Sequence, residues 1–427
     1  MLLKNTKLLL SRILEHGSCK LYKISDNKNE YKRLKRTLSQ QNALGNWGEA
    51  LVNDTLMGET LNKLSQHNTV YLIHDPSDIR KPHSKKTETL GKVLDLNKKV
   101  INGYSTHNVV AVLPKDKSVH LVSHESYSNK DPRFLKEKWV KKFKEDKNFP
   151  EKETLSKLYH SHHWFNKKTI SDASIKKIST AIKNRYPDMK ITHILDREFD
   201  DETCFQCIEQ LNDTFIIRAK KTRKDPESKK KIKLINSVFD QQKEIPLQQV
   251  RIKNKAYQDV ICGIEWKKYK QYTAIRITLF DRQGKMIFPD PLLLLTNQAI
   301  QIAEDAYLAY QCYLKRSRIE CVFKFLKEGL GWEEMQIQDF QGIKNLLSVC
   351  FFIAAYLYDI NEAIVQDNYV ILLAKLGGGK GMVSRHYILK GIHMMMSKYR
   401  VDRILEEENP SAETLKNAFA MAGIWDE

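Results

Sequence analysis

Two short apolar runs in this chain each end on an aspartate, and that pairing restricts the fold more than any other feature. Residues 69–73 (TVYLI) run into His74-Asp75-Pro76, and residues 191–195 run into Asp196. Short β-branched runs bounded by turn residues read as buried strands. Residues 107–113 and 119–122 are also strand-like, and Pro114-Lys115-Asp116-Lys117 between them is a hairpin signal. Residues 172–183 read as a helix, a second helix follows Asp196 to about residue 211, and residues 214–219 form another strand. Three strands, then helix, strand, helix, strand, predict a mixed α/β core.

The flanking segments differ in pattern. Residues 1–66 read helical, with amphipathic stretches around 8–14 and 51–64. Residues 125–170 are polar and charged, a mixture of helix and loop. Residues 220–297 alternate β-branched and charged residues, with a turn at Asp281-Arg282-Gln283-Gly284, which predicts an all-β insertion. Residues 300–329 read as one long helix closed by Gly329 and Gly331. Residues 343–427 read helical, broken near Gly377-Gly378-Gly379. The domain boundaries expected from this are 1–66 (helical), 67–219 (core, first part), 220–297 (β-rich insertion), 298–365 (core, second part) and 366–427 (helical).

Charge indicates the partner. Lys plus Arg number 71 against 52 Asp plus Glu, a net +19. So large an excess points to an anionic partner, nucleic acid ahead of a membrane surface. Residues 216–235 hold nine cations and two anions, whereas residues 401–427 hold seven anions and two cations. The longest apolar stretch, residues 346–358, is shorter than the ~20 residues a bilayer span needs, so it reads as a buried helix and no membrane is expected. Residues 1–12 lack the apolar core of a signal peptide. Seven cysteines, an odd number, read as reduced thiols of a cytosolic protein.

The chemistry rests on acids. Asp75 and Asp196 follow strands, and Glu320 lies on the long helix. At ~100° per residue, Tyr313, Arg316, Glu320 and Lys327 occupy a stripe about 60° wide, with Ile319, Val322, Phe325, Leu326 and Leu330 on the other side. That apolar side would pack on the sheet and aim the polar stripe at the strand ends. Three converging carboxylates suit hard divalent cations. A pair of such ions ~3.5–4 Å apart serves phosphodiester displacement. A lone Asp after a strand is otherwise a cap or turn residue.

The stretch YLKRSRIECVFKFLK, with Tyr313, Arg316, Glu320 and Lys327 at this spacing, resembles the IS4-type DDE transposases. ITHILDREFDDETCFQCIEQLNDTFIIRAK resembles the segment around that family's second catalytic Asp, and YLIHDPSDIRKPHSKKTE its first, more loosely. The resemblance covers about residues 69–360. It implies an RNase H-like core interrupted by a β insertion, helical terminal regions, and a bacterial, nucleoid-associated enzyme. Asp75, Asp196 and Glu320 would hold two Mg²⁺, or Mn²⁺, for DNA cleavage and strand transfer. Arg316 would bind phosphate at the transposon end, and Tyr313 and Lys327 the terminal strand. Arg197, Lys220 and Lys221 are further candidate DNA contacts. The substrates would be terminal inverted repeats and target DNA, bound by a homodimer in a synaptic complex, with residues 1–66 binding the repeats. Trp266 is the candidate aromatic for stacking on a flipped base, with a β-core tryptophan as the other reading.

Several neighbours compete. Asp78 could replace Asp75, which is favoured because it directly ends the strand. Glu198 reads as peripheral to Asp196. Cys204 and Cys207 have zinc-like spacing but no second pair, so they read as core or surface thiols. His160-Ser161-His162-His163 reads as a polar helix end, and Gly377-Gly378-Gly379-Lys380-Gly381 as a helix break. Two further functions remain possible: a nuclease with the same triad but no strand transfer, and a repurposed DNA-binding repressor without catalysis.

Overall fold

A computed structural model describes residues 2–39, 48–114, 118–131, 133–134, 165–228, 232–251, 257–363 and 368–408. The His160–His163 cluster, Lys229–Lys231, the hairpin residues 115–117 and the acids at 413, 426 and 427 lie outside the described residues.

One mixed sheet of ten strands dominates. The strands are β1 Thr69–Arg80, β2 Gly91–Leu94, β3 Val100–Val112, β4 Val119–Tyr127, β5 Lys190–Leu195, β6 Thr214–Arg218, β7 Gln241–Arg251, β8 Tyr257–Tyr269, β9 Tyr272–Phe280 and β10 Leu292–Thr296. Their order is β2-β3-β1-β5-β6-β10-β9-β8-β7, with β4 also on β3. The central strands β1, β5 and β6 run parallel. All the other pairings are antiparallel.

Helices cover both faces, which is what a parallel core requires. Four precede the sheet: α1 Leu2–His16, α2 Leu21–Ile24, α3 Lys28–Ser39 and α4 Glu49–Leu64. Next come α5 Lys167–Arg185, α6 Glu202–Glu209, α7 Ala303–Leu314 and α8 Ser317–Lys324. The last are α9 Phe340–Ala363, α10 Asn368–Leu376 and α11 Arg385–Glu408. Helix α5 starts at a capping box between Asn166 and Thr169, and it buries Ile178 and Ile182. These two pack with Val70, Leu72, Val109 and Ile191 on one sheet face. On the opposite face Ile73, Ile194 and Ile216 pack with Ile319, Val322 and Leu326.

Four features differ from the sequence-based expectation. Strand β1 does not end at Asp75 but continues to Arg80, paired with β3 throughout. Proline is tolerated at 76 because β5 has ended by then, so one edge of β1 is free of ladder bonds. The β-rich segment is no separate body. Strand β10 pairs with β6, and β9, β8 and β7 extend the same sheet. The expected single helix over 300–329 breaks at Lys315–Arg316, where three-residue hydrogen-bonded turns replace four-residue ones (Arg316 N to Tyr313 O, 2.9 Å; Ile319 N to Arg316 O, 3.2 Å). It then ends in a π-helical turn, Phe325–Gly329.

The fourth difference is length. The expected apolar helix spans 24 residues in α9. By length and composition Phe340–Ile360 could cross a membrane, but most of it is buried inside the protein, with Asn345 and Ser348 also in the interior. The turn at Asp281–Gly284 closes with Gly284 at φ 79°, a left-handed conformation that favours glycine. The glycine break also forms as expected, since Gly378 and Gly381 take φ of 87° and 85° between α10 and α11.

Candidate active site

The register of the three parallel strands builds the floor of the site. His74 pairs with Leu195, and Leu195 with Ile217. The next row, just beyond the last pairs, is therefore Asp75, Asp196 and Arg218. Because Ile73, Ile194 and Ile216 face α8, the residues two positions further along face the same side. The break between α7 and α8 lies over this row. The buried residues Ile319, Val322 and Leu326 fix α8 to the sheet and leave Arg316 and Glu320 on its other side.

One guanidinium joins two of the three acids. Arg316 Nη1 donates to Asp75 Oδ2 at 3.1 Å, and Nη2 donates to Glu320 Oε1. Tyr313 Oη donates to Asp196 Oδ1 at 3.4 Å, and Arg218 Nη1 lies 3.9 Å from the same oxygen. Asp75 is largely buried, whereas the Glu320 side chain is 53% exposed. Burial pushes the Asp75 carboxyl up to about 7; Arg316 pulls it down, and Asp196, Glu320 and Glu198 push it further up. Burial also raises the Tyr313 phenol to about 12, with the Asp196 charge adding to it, so Tyr313 is a donor at neutral pH.

The fourth member of the spaced set, Lys327, falls in the π-helical turn. Its Nζ donates to the Asp78 carbonyl oxygen at 2.9 Å and lies 3.4 Å from Glu333 Oε1. Burial lowers its pKa. The Arg80 guanidinium holds the same glutamate with two hydrogen bonds, of 2.8 and 3.1 Å, and the Arg80 backbone N–H adds a third at 3.2 Å. Asp78 faces away from the acids: its carboxylate accepts from Ser105 Oγ at 3.0 Å and from the Leu94 backbone at 3.4 Å. The choice of Asp75 over Asp78 therefore rests on orientation and on Arg316, not on a strand end.

The remaining predicted residues fall elsewhere. Trp266 is only 8% exposed and packs among Ile264, Ile275 and Ile277 on the sheet, so its ring has no free face for a base. Tryptophan suits that position because strand residues alternate, and position 266 falls on the core-facing set. Arg197 is exposed beside Asp196 in the short turn Arg197–Phe199. Lys220 and Lys221 are exposed on the loop after β6, bonded to the Asp200 carbonyl (3.0 Å) and to Asp290. Glu198 pairs with Lys167 on the surface. Cys204 and Cys207 are free thiols in the core on α6.

Sequence reasoning missed Arg218 and Glu333. Arg218 ends the apolar run FIIR, and its place beside Asp196 follows once three parallel strands are aligned on their apolar residues. Glu333 has no local signal, since its main partner Arg80 is distant along the chain and its approach to Lys327 depends on the π-helical turn between them.

Among the described residues no three Asp, Glu, His or Cys side chains converge closely enough to hold a metal ion together. The guanidinium of Arg316 lies between two of the carboxylates that were expected to do so. The donor set itself, three carboxylates around a partly buried floor, suits a hard cation such as Mg²⁺. No known protein family matches the chain, and no curated protein matches it.

Proposed function

We propose that this chain is the transposase of a bacterial insertion sequence, an enzyme that binds terminal inverted repeats in double-stranded DNA and catalyses metal-dependent phosphodiester cleavage and strand transfer. The observation that carries this reading is the row of Asp75 and Asp196 on adjacent parallel strands, with Glu320 brought beside it through Arg316. Strand order supports an RNase H-like core: β4-β3-β1-β5-β6, with β1 antiparallel to β3 and parallel to β5.

Asp75, Asp196 and Glu320 would hold Mg²⁺ or Mn²⁺. Bound there, two such ions would activate an attacking oxygen and stabilise the leaving one. The upward push on Asp75 from its neighbouring acids is repulsion that a divalent cation relieves. Arg316, a planar five-donor group, can exchange carboxylate oxygens for phosphate oxygens with little loss of geometry. Tyr313 would donate to the terminal strand, with Lys327 and Arg218 adding positive charge along it. The attacking oxygen is first water and then the freed 3′-hydroxyl. Two copies acting on two transposon ends would form the synaptic complex.

The test is purified protein with Mg²⁺ and a labelled duplex carrying the inverted repeats that flank its gene. Nicks at the terminal nucleotide followed by strand-transfer products support a transposase. Nicks without transfer indicate a nuclease, and tight binding without any cut in Mg²⁺ or Mn²⁺ indicates a repressor.

A further inference from the structure

Glu333 lies in the loop between the π-helical turn and α9, and two anchors fix its backbone. The fully buried Trp332 donates from Nε1 to the Leu347 carbonyl at 3.2 Å and from its backbone N–H to the Leu326 carbonyl at 3.0 Å. Lys81, also buried, donates from Nζ to the carbonyl oxygens of Glu333 and Met335, both at 2.6 Å. The carboxylate is held as firmly. Arg80, at the end of β1, reaches it with Nε, Nη2 and its backbone N–H, a charge-assisted fork with fixed geometry.

Lys327 stands beside this clamp. Its Nζ is 3.4 Å from Glu333 Oε1 and donates to the Asp78 carbonyl at 2.9 Å. An ammonium has three N–H groups, so these two partners set its direction and leave a donor for a ligand. The side chains of Lys327, Glu333 and Arg80 are all partly open to solvent. Lys327 follows Glu320 by two helical turns, and Asp78 follows Asp75 by three strand residues, ~10 Å in either element. A DNA strand rises ~3.4 Å per nucleotide, so the ammonium stands about three nucleotides from the acids along a strand laid over them. Burial lowers the Lys327 pKa; Glu333 and Asp78 oppose this, and Arg80 adds to it. Burial would raise the Glu333 carboxyl, but Arg80 and Lys327 outweigh it and hold the carboxyl below its ordinary value, so it is ionised at neutral pH.

We infer that Glu333 is a positioning residue: clamped to β1 by Arg80, it fixes where the Lys327 ammonium points, so that a phosphate of the bound strand meets a donor already in place. The inference rests on the proposed function for its ligand, a DNA strand. A glutamine at 333 keeps an oxygen for Arg80 but loses the charge that holds Lys327. The lysine then faces only the repelling Arg80 guanidinium, and it regains rotamer freedom that phosphate binding must remove again. An acid that merely neutralised two neighbouring cations would behave in the opposite way. Its removal from a basic surface would strengthen binding to a polyanion.

The experiment uses full-length protein, fluorescence anisotropy and the repeat duplex that flanks the gene. Four variants are compared with the wild type: Glu333→Gln, Glu333→Asp, Lys327→Met and Glu333→Gln combined with Lys327→Met. Glu333→Gln should weaken duplex binding roughly five- to tenfold, and its slope of log affinity against log salt should fall by about 1, the signature of one lost phosphate contact. Lys327→Met should do the same, and the double variant should bind no more weakly than Lys327→Met alone. Glu333→Asp keeps the charge and should recover most of the affinity. A second readout needs no DNA: acylation of Lys327 by dilute acetic anhydride across pH, followed by peptide mass spectrometry. Its midpoint should fall by about 1–2 pH units in Glu333→Gln. Should Glu333→Gln fail to fold, Arg80→Gln, which leaves the acid charged but unclamped, enters the same cycle with Lys327→Met. Binding that is unchanged or tighter in Glu333→Gln overturns the inference, as do losses that add in the double variant. Coupled losses in a protein that cuts no DNA would retain the inference and reject the transposase reading. Additive losses with normal cutting would do the reverse, and a wild type that does not bind the duplex rejects both.

Discussion

Replacing Asp75 with asparagine should stabilise the protein while removing a residue the proposed chemistry needs. Burial and three neighbouring acids raise the Asp75 carboxyl from 3.8 to about 7. A rise from 3.8 to about 7 corresponds to ~4 kcal/mol of differential interaction between the charged and neutral forms. The folded-state value is the higher one, so the stability tied to this group is intact below pH 3.8 and is lost as pH rises through 7. Asparagine keeps an oxygen for Arg316 and carries no charge. In EDTA the Asp75→Asn variant should exceed the wild type by about 2–4 kcal/mol at pH 8, after allowing for local relaxation. At roughly 2.1 cal/mol/K per residue over 427 residues, the thermal midpoint should rise by about 2–4 °C. At pH 5 the gap should shrink to under half, and near pH 4 it should vanish. Added Mg²⁺ should raise the wild-type midpoint and leave the variant's nearly fixed. Calorimetry across this pH range is the assay. A variant less stable than the wild type at pH 8, or a gap independent of pH, would refute the argument that buried like charge is held at this site.

Other perturbations probe the same geometry. Arg316→Ala frees Asp75 and Glu320 from their shared guanidinium, so Mn²⁺ should bind the DNA-free protein at least tenfold tighter, from removal of a positive charge ~4 Å away. Electron paramagnetic resonance titration of free Mn²⁺ would show it, and weaker or unchanged binding would contradict it. Glu320→Ala should abolish cleavage while leaving repeat binding in a gel-shift assay largely intact, and retained cleavage would remove Glu320 from the site. Behind the floor, on the other sheet face, buried His193 lies 3.2 Å from Asp213, and Lys183 lies 2.6 Å from the same carboxylate. Asp213→Ala leaves these partners uncompensated and should cost about 3–5 kcal/mol in denaturant unfolding. A loss below about 1 kcal/mol would mean the pair contributes no more than a surface ion pair.

Much of the site was readable because parallel strands make apolar runs. The TVYLI and ITHIL segments are such runs, and pairing them in parallel sets Asp75 beside Asp196. The spacing of Tyr313, Arg316 and Glu320 brought them to one side even though the helix breaks at Arg316, because a single tightened turn rotates the stripe without scattering it. Lys327 lies beyond that break, and a π-helical turn carries it to Asp78 and Glu333 instead. The extension of β1 past Pro76 was not legible, since it depends on β5 ending beside it. Nor was the burial of Trp266, whose alternate partners on β8 and β9 decide which side of the strand meets the core. Glu333 joins residues far apart in sequence, and no local pattern encodes such a contact.

The measurement closest to the central claim is cleavage of the gene-flanking repeat duplex by wild-type protein and by Asp196→Ala, with and without Mg²⁺. The account predicts nicks at the repeat's terminal nucleotide that require Mg²⁺ and vanish in Asp196→Ala, with repeat binding retained. Cleavage that persists in Asp196→Ala, or that proceeds in EDTA, would contradict it.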